Sequence, residues 1–263
     1  MYDFEFVKPA TLADAVAAMG RDGAQALSGG QTLLPTMKQR LAQPAVLVSL
    51  TGIAEMKGVS GRAGTSVTIG AATTHATVAR EAAAFYQALA RLAGGIGDPA
   101  VRNRGTIGGS LANNDPAACY PAAALGSAAT IVTNRRSIAA DDYFQGLFST
   151  ALGDGEIITS VSFPIPEKSA YVKFNQPASR FALTGVFVAK YATGVRVAVT
   201  GASQEGVFRW AAAETALSRG FNTDALKGLV ADAGNLITDL HGSAAYRAAL
   251  IGVLTARAVA SAN

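Results

Sequence analysis

The chain has 263 residues, half of them apolar and only 15% charged, with a formal net charge of +4. Disorder needs few apolar residues and high net charge, so most of this chain must fold around a sizeable core. A single cysteine, Cys119, excludes an internal disulfide framework and multi-cysteine zinc or iron–sulfur ligation, and two histidines, His75 and His241, leave little for a metal centre.

The N-terminal stretch MYDFEFVKPATLADA is acidic where a secretory signal would be basic and then apolar, so the chain is expected to start near Met1 and to be cytoplasmic. The first fifty residues predict a β-α-β-α-β alternation. Phe4–Val7 reads as a strand, and Thr11 as the cap of a helix LADAVAAM ending at Gly20. AQAL is a buried strand running into SGGQTLLP, Pro35 opens a helix TMKQRLA, and AVLVSL is a continuous apolar strand. Strands apolar on both faces suggest a small covered parallel sheet.

From about residue 55 short strands such as SVTIGA, AATIVTN and EIITSVSFPIP alternate with glycine turns and one helix, about Val78 to Leu92, which predicts an α+β unit. The charge-free run Pro116–Asn134 holds two prolines and much alanine, and reads as core rather than as a transmembrane segment. Pro164–Lys168 is the expected linker. Beyond it AYVKF, GVFVAKYA and GVRVAVTGA predict strands, and RWAAAETALSR, TDALKGLVADAG and SAAYRAALIGVLTARAVA predict helices, the last packing through Tyr246, Leu250 and Leu254. Basic residues are scattered, which argues against a nucleic-acid face.

The chemistry-bearing signals are glycine loops. Residues 95–100, GIGDPA, follow a helix and place Pro99 where a Rossmann helix would run, and no P-loop motif occurs. Ser28-Gly29-Gly30-Gln31-Thr32, between a strand and a helix start, offers free N–H groups and a helix dipole to an anion. Arg104-Gly105-Thr106-Ile107-Gly108-Gly109-Ser110 is a second such loop, with hydroxyls at Thr106 and Ser110 and a glycine pair that lets backbone approach a ligand. Two cradles in separate units suit one ligand clamped between them, such as a dinucleotide with its pyrophosphate. Cys119, in an apolar run, reads as a small buried hydrophobe, and His75 as a helix-start or surface residue.

LSGGQTLLPTMKQRLAQPAVLVSL, TIGAATTHATVA, IGDPAVRNRGTIGGSLANNDPAACYPAAAL and KFNQPASRFALTGVFVA, in this order, resemble the FAD-binding medium subunit of the molybdenum hydroxylases, of aerobic carbon monoxide dehydrogenase type with xanthine dehydrogenase more distant. The resemblance spans about residues 3–257. It implies an α+β fold: a vanillyl-alcohol-oxidase-like two-part FAD-binding domain, residues 1–54 and 55–166, then a C-terminal flavoprotein domain, 167–263, of a small antiparallel sheet and three helices. The family's A-G-G-H-S diphosphate loop matches Ser28, Gly29, Gly30, Gln31 and Thr32, with Leu33 continuing it and substitutions at 28, 31 and 32. Its T-I-G-G-S is intact as Thr106, Ile107, Gly108, Gly109 and Ser110. Flavin-flanking apolar positions match Ile96 and Ile158, and a basic position near the flavin matches Lys173. Relatives read D-P-A-A-D where this chain has Asp115-Pro116-Ala117-Ala118-Cys119, so an aspartate anchor for FAD hydroxyls is replaced by a thiol.

The implied function is electron transfer: from molybdopterin on a large subunit and two [2Fe–2S] clusters on a small subunit, through FAD on this chain, to quinone, NAD or oxygen. No residue here is then a catalytic acid or base, because the flavin carries the chemistry. A scaffold subunit with a decayed FAD site and a free-standing flavin dehydrogenase are the alternatives.

Overall fold

A computed structural model describes all residues, Met1–Asn263. The opening alternation forms a three-stranded parallel sheet with Val46–Ser49 at its centre, flanked by Glu5–Val7 and Ala24–Leu27. The central strand is fully buried, as its Val46-Leu47-Val48 run demands, with the Ser49 hydroxyl 3.2 Å from Thr51 Oγ1, whereas the two edge strands are only partly covered. The Thr11 hydroxyl accepts from the Asp14 N–H and caps the helix Leu12–Met19. The second helix, Leu33–Lys38, starts two residues earlier than Pro35 predicts. Pro35 is its third residue, still within the first turn where the missing N–H has no intrahelical use.

A five-stranded antiparallel sheet follows, in the order Val59–Arg62, Ser66–Gly70, Ile158–Pro164, Thr130–Thr133, Ser137–Ala139. The helix expected over Val78–Leu92 is broken. His75–Glu81 runs into a 3-10 turn at Ala82–Ala84, and a new helix covers Gln87–Gly94. The break lets Tyr86 leave helical geometry (φ −141°), bury its ring edge-on to Phe187 and bond its hydroxyl to Ser127 Oγ at 2.8 Å. The charge-free run folds inside the molecule as the wholly buried helix Tyr120–Gly126 and the strand Thr130–Thr133. No helix is long and apolar enough to cross a membrane.

The third sheet, antiparallel in the order Lys168–Asn175, Ala182–Tyr191, Gly194–Thr200, Phe208–Arg209, is buried on both faces. Side chains alternate along a strand. Phe187, Ala189 and Ala198 therefore join the core shared with the preceding sheets, while Val186, Val188, Val197 and Val199 join a second core beneath the C-terminal helices. The register pairs like with like, Phe187 with Ala198 and Val186 with Val199. Those helices are Ala211–Arg219 and Ala244–Ser261. Between them TDALKGLVADAG forms only a 3-10 turn, Thr223–Leu226, because Gly228 takes a left-handed φ of +79° and the chain turns away. The buried residues of the last helix are Arg247, Ala248, Ile251, Leu254, Thr255, Ala258 and Val259; Leu254 and the partly buried Leu250 pack against the second core as expected, whereas Tyr246 is 43% exposed.

Candidate cofactor site

The loop Ser28–Thr32 leaves the end of strand Ala24–Leu27 and feeds the helix Leu33–Lys38. The second loop, Gly105–Thr106, leaves the helix Pro99–Arg104 and feeds Ile107–Asn113. Asp98 caps the former helix, with Pro99 at its first position, which is the local reason GIGDPA is a turn into a helix and not a dinucleotide fingerprint. The two loops touch. Ser28 Oγ and Thr106 Oγ1 lie 2.7 Å apart, and a Cβ on Gly29 would overlap the Arg104 carbonyl oxygen and come within 2.6 Å of Gly105 Cα. Only glycine lets the chains cross this closely.

Together they wall a cleft of about 520 Å³. Of the residues singled out in the sequence, Ser28, Gly29, Gly30, Gln31, Thr32, Leu33, Ile96, Thr106, Gly108, Gly109, Ser110, Cys119, Ile158 and Lys173 all line it. Ile107 does not: it is fully buried and packs into the core behind the loop, because in T-I-G-G-S the isoleucine side chain points away from the face that its neighbours present.

The loops differ in what they offer. No protein acceptor takes the backbone N–H groups of Gly29, Gly30, Gln31, Thr32 or Leu33, and Thr32 provides no side-chain cap to the helix behind them. Five consecutive donors at a helix N-terminus, lining a cleft, form an anion cradle. Gly30 sits at φ +69°, the left-handed turn that opens the loop. The second loop leaves only the Thr106 N–H without a protein acceptor. Ile107 N–H donates to Thr73 O, Gly108 N–H to Ala71 O, Gly109 N–H to Thr106 Oγ1 and Ser110 N–H to Thr106 O. Gly108 is a glycine for packing, since a Cβ there would be 2.6 Å from the Ala71 methyl. What this loop contributes is hydroxyls and a close wall.

At the far wall, Lys173 Nζ donates to the carbonyls of Gly95 (2.9 Å) and Arg180 (2.7 Å) and sits 3.5 Å from Cys119 Sγ. The ammonium thus ties the end of helix Gln87–Gly94 to the 176–181 turn. Cys119 is 5% exposed, buried as expected, yet its thiol borders the cleft. Asp115 is beside it, its carboxyl pushed upward by burial while it accepts from the Ala117 N–H at 2.8 Å. Glu156 also reaches the lining; hydrogen bonding from Arg136, Gly153 N–H and Thr133 holds its carboxyl at about 2. Neighbouring Asn114 is structural: in left-handed conformation (φ +44°), it donates to Gly146 O and Ser149 O and pins the hairpin that carries Phe148.

Several lining residues escaped the sequence reading. Phe148 and Phe181, 60% and 47% exposed, stand at the cleft with no periodicity to announce them. His75 starts the helix His75–Glu81, as its sequence position suggests, but it is only 5% exposed and lines the cleft. A ring that lies under a glycine from a loop thirty residues away leaves no local signal.

Residues 2–166 match the family model described as the FAD binding domain in molybdopterin dehydrogenase. The chain belongs to this FAD-binding family. It is 33% identical to the carbon monoxide dehydrogenase medium chain of Hydrogenophaga pseudoflava, with 97% of this chain and 96% of the relative covered. It is 34% identical to the nicotine 6-hydroxylase medium subunit of Paenarthrobacter nicotinovorans, covering 98% and 96%. Among solved structures it is similar to a chain of the reconstituted CO dehydrogenase from Oligotropha carboxidovorans, with a TM-score of 0.89 at 31% identity and 98% and 97% coverage. As a member of the molybdopterin dehydrogenase FAD-binding family, it is an oxidoreductase subunit whose cofactor is FAD. The cleft suits that cofactor: unpartnered amides of the Gly29–Leu33 loop and the apolar side chains of Ile96 and Ile158 line it together.

Proposed function

We propose that this chain is the electron-transfer flavoprotein subunit of a heteromeric molybdenum hydroxylase, working with a molybdopterin-binding large subunit and an iron–sulfur small subunit. The observation that carries the site assignment is the run of five unpartnered N–H groups from Gly29 to Leu33. In this reading they hold the FAD diphosphate, Ser28, Thr106 and Ser110 add hydroxyls beside it, and Gly109 leaves room for the approach. Ile96 and Ile158 flank the flavin, and Lys173 and Cys119 form the wall behind it. FAD, when bound, would supply the redox chemistry linking the iron–sulfur clusters of the small subunit to an acceptor such as quinone, NAD or oxygen. The protein's own part is to bind, orient and exclude water. We assign residues 1–54 and 55–166 to the two halves of the FAD-binding domain and 167–263 to the C-terminal domain.

The titration of a purified preparation with FAD, followed in the visible spectrum, tests this reading, and partners carrying molybdenum and iron–sulfur clusters should co-purify. One FAD per chain with those partners is the expected result. A folded chain that leaves the flavin spectrum unchanged would instead fit a scaffold subunit, and FAD binding without partners a free-standing dehydrogenase.

Cys119 gives a sharper expectation. A thiol is a weak hydrogen-bond partner. Cys119→Asp would place a carboxylate at the cleft wall, facing Lys173 Nζ. The ammonium compensates its burial, and its second oxygen is available to a cofactor hydroxyl, an interaction of about 1.5 kcal/mol or more. FAD affinity should rise about tenfold by flavin fluorescence. Equal or weaker affinity in a folded variant would show that position 119 only packs.

A further inference from the structure

His75 borders the cleft but has no part in the assignment above. It is the first residue of the helix His75–Glu81, its backbone N–H donates to Gly105 O at 2.9 Å, and its cap Thr74 bridges to Thr106. Its ring lies tilted against Tyr120, 5.3 Å between centroids. The Nδ1 atom is buried with no hydrogen-bond partner, and Nε2 makes no bond within the protein either. His75 lines the cleft, and of its two ring nitrogens only Nδ1 is fully buried; Nε2 is the atom nearest to where a Gly105 side chain would stand, at 2.5 Å, and Gly105 is the residue against which Gly29 crosses. The cleft floor at the loop crossing is therefore Gly29, Gly105 and the His75 ring.

A histidine kept for packing alone has its nitrogens satisfied by neighbours, because a buried polar atom without a partner is costly. Here the protein satisfies neither. Burial, with Arg102 acting in the same direction, holds the imidazole neutral with a pKa of about 4. A neutral imidazole carries one N–H. No acceptor reaches Nδ1, so the surroundings assign that proton to Nε2, where the cleft can supply a partner.

We propose that His75 is a cofactor-contacting residue, donating a hydrogen bond from Nε2 to an acceptor oxygen of bound FAD where the two loops cross. The proposal rests on the FAD reading of the cleft and adds a residue to it. It also explains why position 105 is glycine: any side chain would displace the ring.

The test uses the full chain, purified with whatever subunits accompany it, stripped of flavin and titrated with FAD. His75→Phe keeps a ring against Gly105 and Tyr120 but removes the donor, and should weaken FAD binding about fivefold to tenfold without lowering the Tm of the flavin-free protein. His75→Gln, whose amide nitrogen falls near the Nε2 position, should recover affinity to within about twofold of the parent. In the parent chain the Nε2 nitrogen resonance should move on FAD addition. A His75→Phe variant that binds FAD as tightly as the parent, an Nε2 resonance indifferent to FAD, or equal losses in both variants accompanied by a lowered Tm would each overturn the proposal. A parent chain that takes up no FAD would sink the FAD reading itself, and the proposal with it, a result distinguishable from the other three.

Discussion

Gly29→Ala should lower FAD affinity by at least about a hundredfold while leaving the secondary structure in place. The added methyl would overlap the Arg104 carbonyl oxygen and lie 2.6 Å from Gly105 Cα, both of them backbone atoms that cannot rotate aside. The loops must separate, which breaks the 2.7 Å contact between Ser28 and Thr106 and turns the free amides away from the cleft. Core packing is far less affected, since Gly29 lies outside every strand and helix. Gly109→Val is a milder form of the same lesion: its Cβ would meet Thr106 Oγ1 at 3.1 Å and Ser28 Cβ at 3.5 Å, a side-chain contact that can partly yield. Circular dichroism and flavin fluorescence titration read both quantities. Parental affinity in a folded Gly29→Ala chain would mean that the loop crossing does not shape the site.

The second large effect is acid sensitivity centred on His75. Its folded pKa is about 4 against an ordinary value of 6.5, because burial disfavours the charged ring. A depressed pKa means that the unfolded chain binds the proton more readily. The neutral histidine's contribution is therefore fully present above pH 6.5 and is lost as pH falls from 6.5 to about 4. Across that window the loss is about 3 kcal/mol, at roughly 1.4 kcal/mol per unit. Glu156, held at about 2, adds its own loss only below about 4.5, so the upper part of the window belongs to the histidine. His75→Phe should remove the slope between pH 6.5 and 5. Urea midpoints measured at half-unit steps check this, and an unchanged slope in the variant would place the titrating group elsewhere.

The site was legible where its signal is local. SGGQT between an apolar strand and a helix start announces unpartnered amides, and the structure has them at Gly29 to Leu33. Thr11 and the apolar Val46-Leu47-Val48 run likewise carry their own instructions. Legibility failed where a distant partner decides. Tyr86 breaks its helix to reach Ser127 and Phe187, and nothing within Val78–Leu92 encodes those neighbours. The second loop, read as a backbone cradle, spends its first-turn amides on Ala71, Thr73 and its own Thr106 cap. Its Gly108 is small for the sake of Ala71, and a sequence cannot distinguish a glycine that admits a ligand from one that admits a neighbour. The family resemblance supplied Ile96, Ile158 and Lys173, which no periodicity marks, and the cleft lining includes all three.

The most direct measurement is the set of backbone amide shifts on adding FAD to the full chain. If the diphosphate lies in the first loop, the N–H resonances of Gly29, Gly30, Gln31, Thr32 and Leu33 move strongly downfield as free donors acquire a charged acceptor. Those of Ile107, Gly108 and Gly109, already bonded within the protein, move little. Binding of FAD with the Gly29–Leu33 amides unmoved would contradict the account.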